Sequence, residues 1–136
     1  MKIANKQFGE IEFTDDSIIK FQEGILGFEE LKKFLHITEN ESFISWLTSI
    51  DEPEIIFPIF PIELLQEDYK SENRYKPYGI VRLDKQPENI TINLKAPIYI
   101  DETEKSGYQK IIDREELSLD YPLFVNNWEY WNANFN

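Results

Sequence analysis

Apolar and polar residues alternate one by one in several short runs of this chain. Within residues 8–13, Ile11 and Phe13 fall on one side and Glu10 and Glu12 on the other. A half-buried strand requires this pattern, because successive side chains leave a strand on opposite faces. Thr91-Ile92-Asn93-Leu94 alternates in the same way. Further runs rich in Ile, Val, Phe, Tyr and Thr cover residues 17–21, 34–37, 43–49, 55–60, 78–83, 90–94, 97–100 and 108–112, parted by Gly, Pro, Asn and Asp. The 55–60 run is apolar on both faces and is expected to be buried. Pro58 inside it cannot donate a ladder hydrogen bond, which favours an edge strand or a bulge there.

Helical signal is weak. Residues 28–33 suit a turn or two of helix, with Glu29 and Glu30 near the start and Lys32 and Lys33 near the end, as the helix dipole prefers. Residues 62–69 place Leu64, Leu65 and Asp68 at helical spacing, which predicts a short helix. Strands recurring every ~8–12 residues indicate an all-β sandwich or barrel. Periodicity does not separate the two, but a sheet curled shut leaves no exposed edge. The expectation is a mainly β fold: a small closed or nearly closed antiparallel β-barrel-like single domain over residues 1–125, with one or two short helices. Residues 126–136 read as a helix or an aromatic C-terminal tail.

Charge narrows the partners. The 136 residues include 26 acidic and 14 basic ones, for a formal net charge of -12. Such an excess repels phosphate backbones and anionic membranes, so no direct nucleic-acid or membrane binding is expected. A hydrophobic content of 41% and an aromatic content of 15% exclude a disordered acidic tail. No apolar run approaches the ~18 residues of a membrane span and no signal-peptide pattern opens the chain, so a cytoplasmic protein, monomeric when free, is expected. The acids cluster in Asp51-Glu52-Pro53-Glu54, in Glu63 with Glu67 and Asp68, in Asp101-Glu102-Thr103-Glu104 and in Asp113-Arg114-Glu115-Glu116. Each cluster reads either as a solvated loop or as part of a docking surface for a basic protein, and charge alone does not choose.

Reactive constellations are hard to find. With no cysteine, the chain has no disulfide, no thiolate nucleophile and no cysteine-based zinc site. His36, within Phe34-Leu35-His36-Ile37, has no Ser, Cys or Asp beside it in a pattern that suggests activation. Gly24-Ile25-Leu26-Gly27 lacks both the further glycine of a dinucleotide fingerprint and the Lys-Ser/Thr of a phosphate loop. The Asp101 and Asp113 clusters lack the glycine and the final glutamate of a calcium loop. No catalytic residue, metal ligand or cofactor is therefore expected. The aromatic residues exceed what a core of this size needs, and Trp128, Tyr130 and Trp131 either pack on the barrel or await a partner.

Three segments, in order, carry a resemblance. Ile19 to Glu29 enters a Gly-x-x-Gly-Phe turn at Gly24, Gly27 and Phe28. Phe43 to Pro53 contains Ile44-Ser45-Trp46-Leu47-Thr48-Ser49 and runs on into Ile56-Phe57-Pro58-Ile59. Thr91 to Ile100 holds the Asn93-Leu94-Lys95-Ala96-Pro97-Ile98 run, and Gly107-x-Gln109 and Tyr121-Pro122-Leu123 follow. Together these resemble the flagellar assembly factor FliW family over residues 1–125, with Leu26 and Thr48 departing from its usual Pro and Gln. The motif residues themselves read as scaffold: Gly24 and Gly27 suit a turn needing positive φ, Phe28 an anchor, and Pro97 a strand entry.

The resemblance implies a non-enzymatic regulator with a β-barrel-like fold. Such a protein binds newly made flagellin and, once flagellin is exported, binds the RNA-binding repressor CsrA and relieves repression of flagellin mRNA. Within that expectation, Asp51, Glu52, Glu63, Glu67 and Asp68 form the partner-binding surface, with Tyr69 as an aromatic anchor. The alternative is an acidic mimic of RNA phosphates that competes directly at an RNA-binding groove.

Overall fold

In the computed structural model, which describes residues 1–39, 42–65 and 71–123, the alternating runs become strands. These are β1 (Lys2–Asn5), β2 (Gly9–Glu12), β3 (Ile19–Phe21), β4 (Lys33–Ile37), β5 (Ser45–Ser49), β6 (Ile56–Pro61), β7 (Lys76–Arg82), β8 (Thr91–Ile92), β9 (Ile98–Asp101), β10 (Ser106–Gln109) and β11 (Tyr121–Pro122). Seven of them, in the order β7-β6-β5-β4-β3-β10-β9, form a ring, and β9 closes it by pairing back onto β7. The expected barrel is present. It is mixed rather than wholly antiparallel, because β10 runs parallel to β3. Hairpins impose antiparallel order on their own strands only, and no hairpin joins β3 to β10.

Alternation then sorts the side chains into an interior and two outer layers. Phe34 of β4, Leu47 of β5, Ile59 of β6 and Ile98 and Ile100 of β9 fill the barrel with Ile19 and Phe21 of β3. Outside, Leu35 of β4 lies under the β1–β2 hairpin with Ile3 and Phe13. Phe60 and Val81 are covered by Ile92, Leu94, Leu117 and Leu123. Of the apolar run 55–60, which was expected to be buried, Ile59 and Phe60 are buried on opposite faces of β6, while residues 55–58 are half-buried, with Ile55 and Phe57 packed against the interior cluster.

Several expectations need correction. Pro58 marks neither an edge nor a bulge: β6 lies between β5 and β7, with Pro58 opposite Trp46. The Ser49 amide donates to the Ile55 carbonyl, so alternation points the Pro58 nitrogen away from β5. The β6–β7 ladder begins only at Ile59, so the missing donor leaves no gap. Residues 28–33 form no helix. Gly27 turns with φ at 89°, isolated turns close at Phe28 and Leu31, and Phe28 is held edge-on against Phe57. One or two turns of helix cannot offset their nucleation cost against such an anchor. Of residues 62–69, Ile62–Leu64 forms a single 3-10 turn, and 66–69 lie outside the described residues, as does the 126–136 tail. Strand β1 has no counterpart among the expected runs, whereas β11 falls on the Tyr121-Pro122-Leu123 segment, where the resemblance implies a closing strand.

Ring closure depends on a close approach. Gly107 of β10 faces into the barrel, where a Cβ would run into the Phe21 ring. Replacing Gly107 with Ala is expected to destabilise the fold by about 1–3 kcal/mol through overpacking. Urea unfolding should show a lowered midpoint with an unchanged slope; an unchanged midpoint would mean that Phe21 moves aside freely.

Candidate interaction surface

The barrel has two chemically different ends. At one end lie the turn after β3, the β5–β6 turn, the segment between β8 and β9, and the end of β10. Here residues of the segments that carry the resemblance meet. The Gln109 side chain accepts a hydrogen bond from the Leu26 amide (2.8 Å) and donates one to the Ala96 carbonyl (3.1 Å). The Asn93 carboxamide accepts the Lys95 and Ala96 amides, which lets the chain step from the β7–β8 ladder to the β7–β9 ladder. Gly24 takes φ 70°, with the Glu29 backbone 2.6 Å from where a Cβ would sit. The motifs therefore clamp one another, while the Leu26 side chain stays 67% exposed at the turn's tip.

Asp51 and Glu52 are exposed on the neighbouring β5–β6 turn. That turn is rigidly held. The Glu52 amide donates to Ser49 Oγ, Asn5 Nδ2 donates to the Pro53 carbonyl, and the Lys6 amide donates to the Glu54 carboxylate. Glu63 lies on the 3-10 turn past the opposite end of β6, exposed, accepting a hydrogen bond from Ser71 Oγ. A strand of this length spans about 20 Å, so Glu63 stands apart from Asp51 and Glu52. Glu67, Asp68 and Tyr69 lie outside the described residues.

The second end holds an arrangement that sequence reading missed. His36 Nε2 is 2.7 Å from Ser45 Oγ, and its Nδ1 bonds the Glu102 carboxylate. Lys105 also reaches Glu102, and the His36 ring stands edge-on to Tyr78. His36 thus does have a serine partner, but one nine residues away, on the adjacent strand. Ser45 is buried, so its hydroxyl meets no substrate from solvent, and the order Ser-His-Glu serves as a strap. Strand β3 starts at Ile19, opposite Phe34, so β4 runs past it towards this end. The His36–Glu102 bond spans the resulting gap to the β9–β10 turn.

Electrostatics follow from this packing. Burial pushes the Glu102 carboxyl up, but the hydrogen bond and charge of His36, with help from Lys105, hold it below its ordinary value. Burial raises the Tyr78 phenol to about 12, and the charges of Glu102 and Glu63 add to the effect. Among the described residues no group of three or more His, Asp or Glu side chains is set to hold a metal ion. No helix among them is long and apolar enough to cross a membrane.

The family model described as FliW protein matches residues 2–123. The chain belongs to the FliW family. The flagellar assembly factor FliW of Lachnospira eligens is 35% identical over 143 residues, covering 91% of this chain and 95% of that protein. That of Thermotoga neapolitana is 37% identical over 138 residues, covering 89% and 92%. A crystal structure of the flagellar assembly factor FliW shares the fold with a TM-score of 0.81 at 26% identity, covering 90% of this chain and 96% of that one. The resemblance carried by the three motifs is thereby confirmed, and this FliW-family chain takes the barrel of its relatives.

The strap generates a pH dependence at each limit. Glu102 is depressed in the folded state, so its contribution is present above the ordinary carboxylate pKa, about 4.3, and is lost as pH falls below it. Tyr78 is raised, so its contribution is complete below about 10 and is lost as pH climbs through about 12. Unfolding free energy measured against pH should fall on both sides. Glu102→Gln should flatten the acid limb and, by removing a charge that helps raise Tyr78, slightly soften the alkaline one, while Tyr78→Phe should flatten the alkaline limb; an acid limb unchanged in Glu102→Gln would remove the strap from the stability of the barrel.

Proposed function

We propose that this FliW-family protein is a cytoplasmic, non-enzymatic regulator of flagellar assembly that alternates between two protein partners. It binds flagellin while flagellin accumulates. Once freed by export, it binds the repressor CsrA and releases flagellin mRNA for translation. The observation that carries this reading is the match to the FliW family over nearly the whole described chain. The acidic exterior supports it: a net charge of -12 favours encounter with a basic RNA-binding protein and disfavours RNA itself.

The partner surface of this reading comprises Asp51, Glu52, Glu63, Glu67 and Asp68, with Tyr69 as anchor. The rigidly held turn of Asp51 and Glu52 favours it, since a preorganised surface loses little entropy on binding. Because Glu63 stands at the other end of β6, the two groups suit two separate contacts.

Calorimetric titration of the protein with flagellin and with CsrA tests the reading. Saturable binding to each, and displacement of CsrA by flagellin, is the expected result; failure to bind either overturns it. Paired charge reversal, Asp51→Lys with Glu52→Lys in one variant and Glu63→Lys in another, then assigns the ends. The variant at the CsrA contact should slow association at low salt and lessen its salt dependence. Equal rates in both variants and the unaltered protein would remove these acids from the surface. In this reading, as the family resemblance implies, the protein acts on CsrA away from its RNA-binding surface, so a transient ternary complex with RNA separates it from phosphate mimicry, which demands mutual exclusion.

A further inference from the structure

Among the described residues, the outer side of the barrel is not covered all round. The β1–β2 hairpin lies over β4, and residues 112–123 lie with β8 over β6 and β7. The outward residues of β9 and β10 instead carry tyrosines. Tyr99 pairs in register with Tyr108, and their rings stack 5.1 Å apart with 11° between planes. Tyr75, just before β7, packs against Tyr108 at 5.0 Å. The three rings form one aromatic surface, fully buried only at Tyr99.

Two of its hydroxyls are tied down: Tyr75 donates to Ser106 Oγ (3.2 Å) and Tyr108 donates to the Glu72 carboxylate (2.7 Å). Lys110 places its ammonium 6.0 Å from the centre of the Tyr99 ring and 3.2 Å from the same Glu72 carboxylate. So this face already holds one cation, half-exposed, with an aromatic ring against it and a carboxylate beside it. Glu104, paired loosely with Arg74 at 4.0 Å, adds an exposed carboxylate nearby.

We propose that the tyrosine face of β7, β9 and β10 is a docking surface for an arginine-bearing cationic segment of a protein partner. The proposal deepens the regulator reading and rests on it for the existence of a basic partner. Charge complementarity selects the occupant, because a chain with net charge -12 attracts cations and repels phosphates and anionic lipids. The geometry selects arginine over lysine: a planar guanidinium stacks on a tyrosine ring while its fork engages a carboxylate such as Glu72. Lys110 is the resident cation that the incoming group displaces.

The test titrates the full chain with a fluorescent peptide of alternating arginine and glycine, read by anisotropy at low and at physiological salt. Charge-matched pairs of variants separate the face from general attraction. Lys110→Ala is compared with Lys85→Ala, beyond the far end of β7, and Glu72→Gln with Glu88→Gln. Lys110→Ala should bind about 2–5-fold tighter than Lys85→Ala, and Glu72→Gln about 2–5-fold weaker than Glu88→Gln. A lysine–glycine peptide should bind more weakly than the arginine one. Equal affinities within both matched pairs overturn the proposal. Amide shift mapping on the unaltered protein provides an independent readout: shifts centred on residues 72–76, 99–101 and 106–110 support the proposal, and shifts confined to residues 50–55 overturn it. Self-association of the peptide-free chain that Glu72→Gln abolishes would assign the face to a second copy, and also overturns it. If flagellin and CsrA bind normally while the matched pairs agree, only this surface fails; if neither partner binds, the regulator reading fails and the peptide still judges the surface.

Discussion

The barrel exists because β10 reaches β3, and that approach sets much else in the structure. The strands are short, and a pair of such strands is marginally stable alone in water. Closing the ring turns both potential edges into ladders: β10 takes β3 on one side and β9 on the other, and β9 returns to β7. The Lys20 amide extends the parallel contact by donating to the Lys105 carbonyl. Gly107 lets the backbone come close enough over the Phe21 ring. Because β3 is only three residues long, closure leaves a gap above it at one end. The His36–Glu102–Lys105 group answers that gap with polar side chains where backbone pairing has run out.

Strand β7 carries the complementary burden. Along one edge it pairs first with β9 and then with β8, and the two ladders are out of step. The stretch from Asn93 to Pro97 absorbs the offset. An Asn carboxamide suits this position because it accepts backbone donors that a broken ladder leaves open. The Asn93, Ala96 and Gln109 contacts of the motif segments therefore hold the joints of the ring together.

Single-strand features were legible in the sequence, and relations between distant strands were not. Alternation located the strand runs to within a few residues, whereas of the two-sided apolar run 55–60 only Ile59 and Phe60 are buried and residues 55–58 stay half-buried. Pro58 misled because whether a missing donor matters depends on which neighbour its nitrogen faces. The parallel β3–β10 pair and the partners of His36 join residues far apart along the chain, where no local pattern records them. Residues 28–33 had charges suited to a helix, but the tertiary contact of Phe28 with Phe57 outweighed them. Of the candidate surface, the exposure of Asp51 and Glu52 was readable from their turn, whereas their distance from Glu63 required the direction of β6. The tyrosine face left one faint trace: a hairpin turning at Thr103 and Glu104 sets Tyr99 opposite Tyr108.

An acidic exterior and an aromatic face do different work at a surface that receives a protein partner. Exposed carboxylates are each worth little, typically about 0–1 kcal/mol per ion pair, and salt screens them. A surface built from them alone brings partners in quickly and lets them leave as quickly. Residence depends instead on desolvated anchors, and tyrosine rings fixed by their own hydroxyl bonds offer large contact area at small entropic cost. A switch between two partners needs both properties, since exchange must be fast enough to follow supply and each complex long-lived enough to withhold its partner. In the regulator we propose, charge spread over the exterior serves encounter and the ordered tyrosines of β9 and β10 serve retention, which keeps the two separately adjustable.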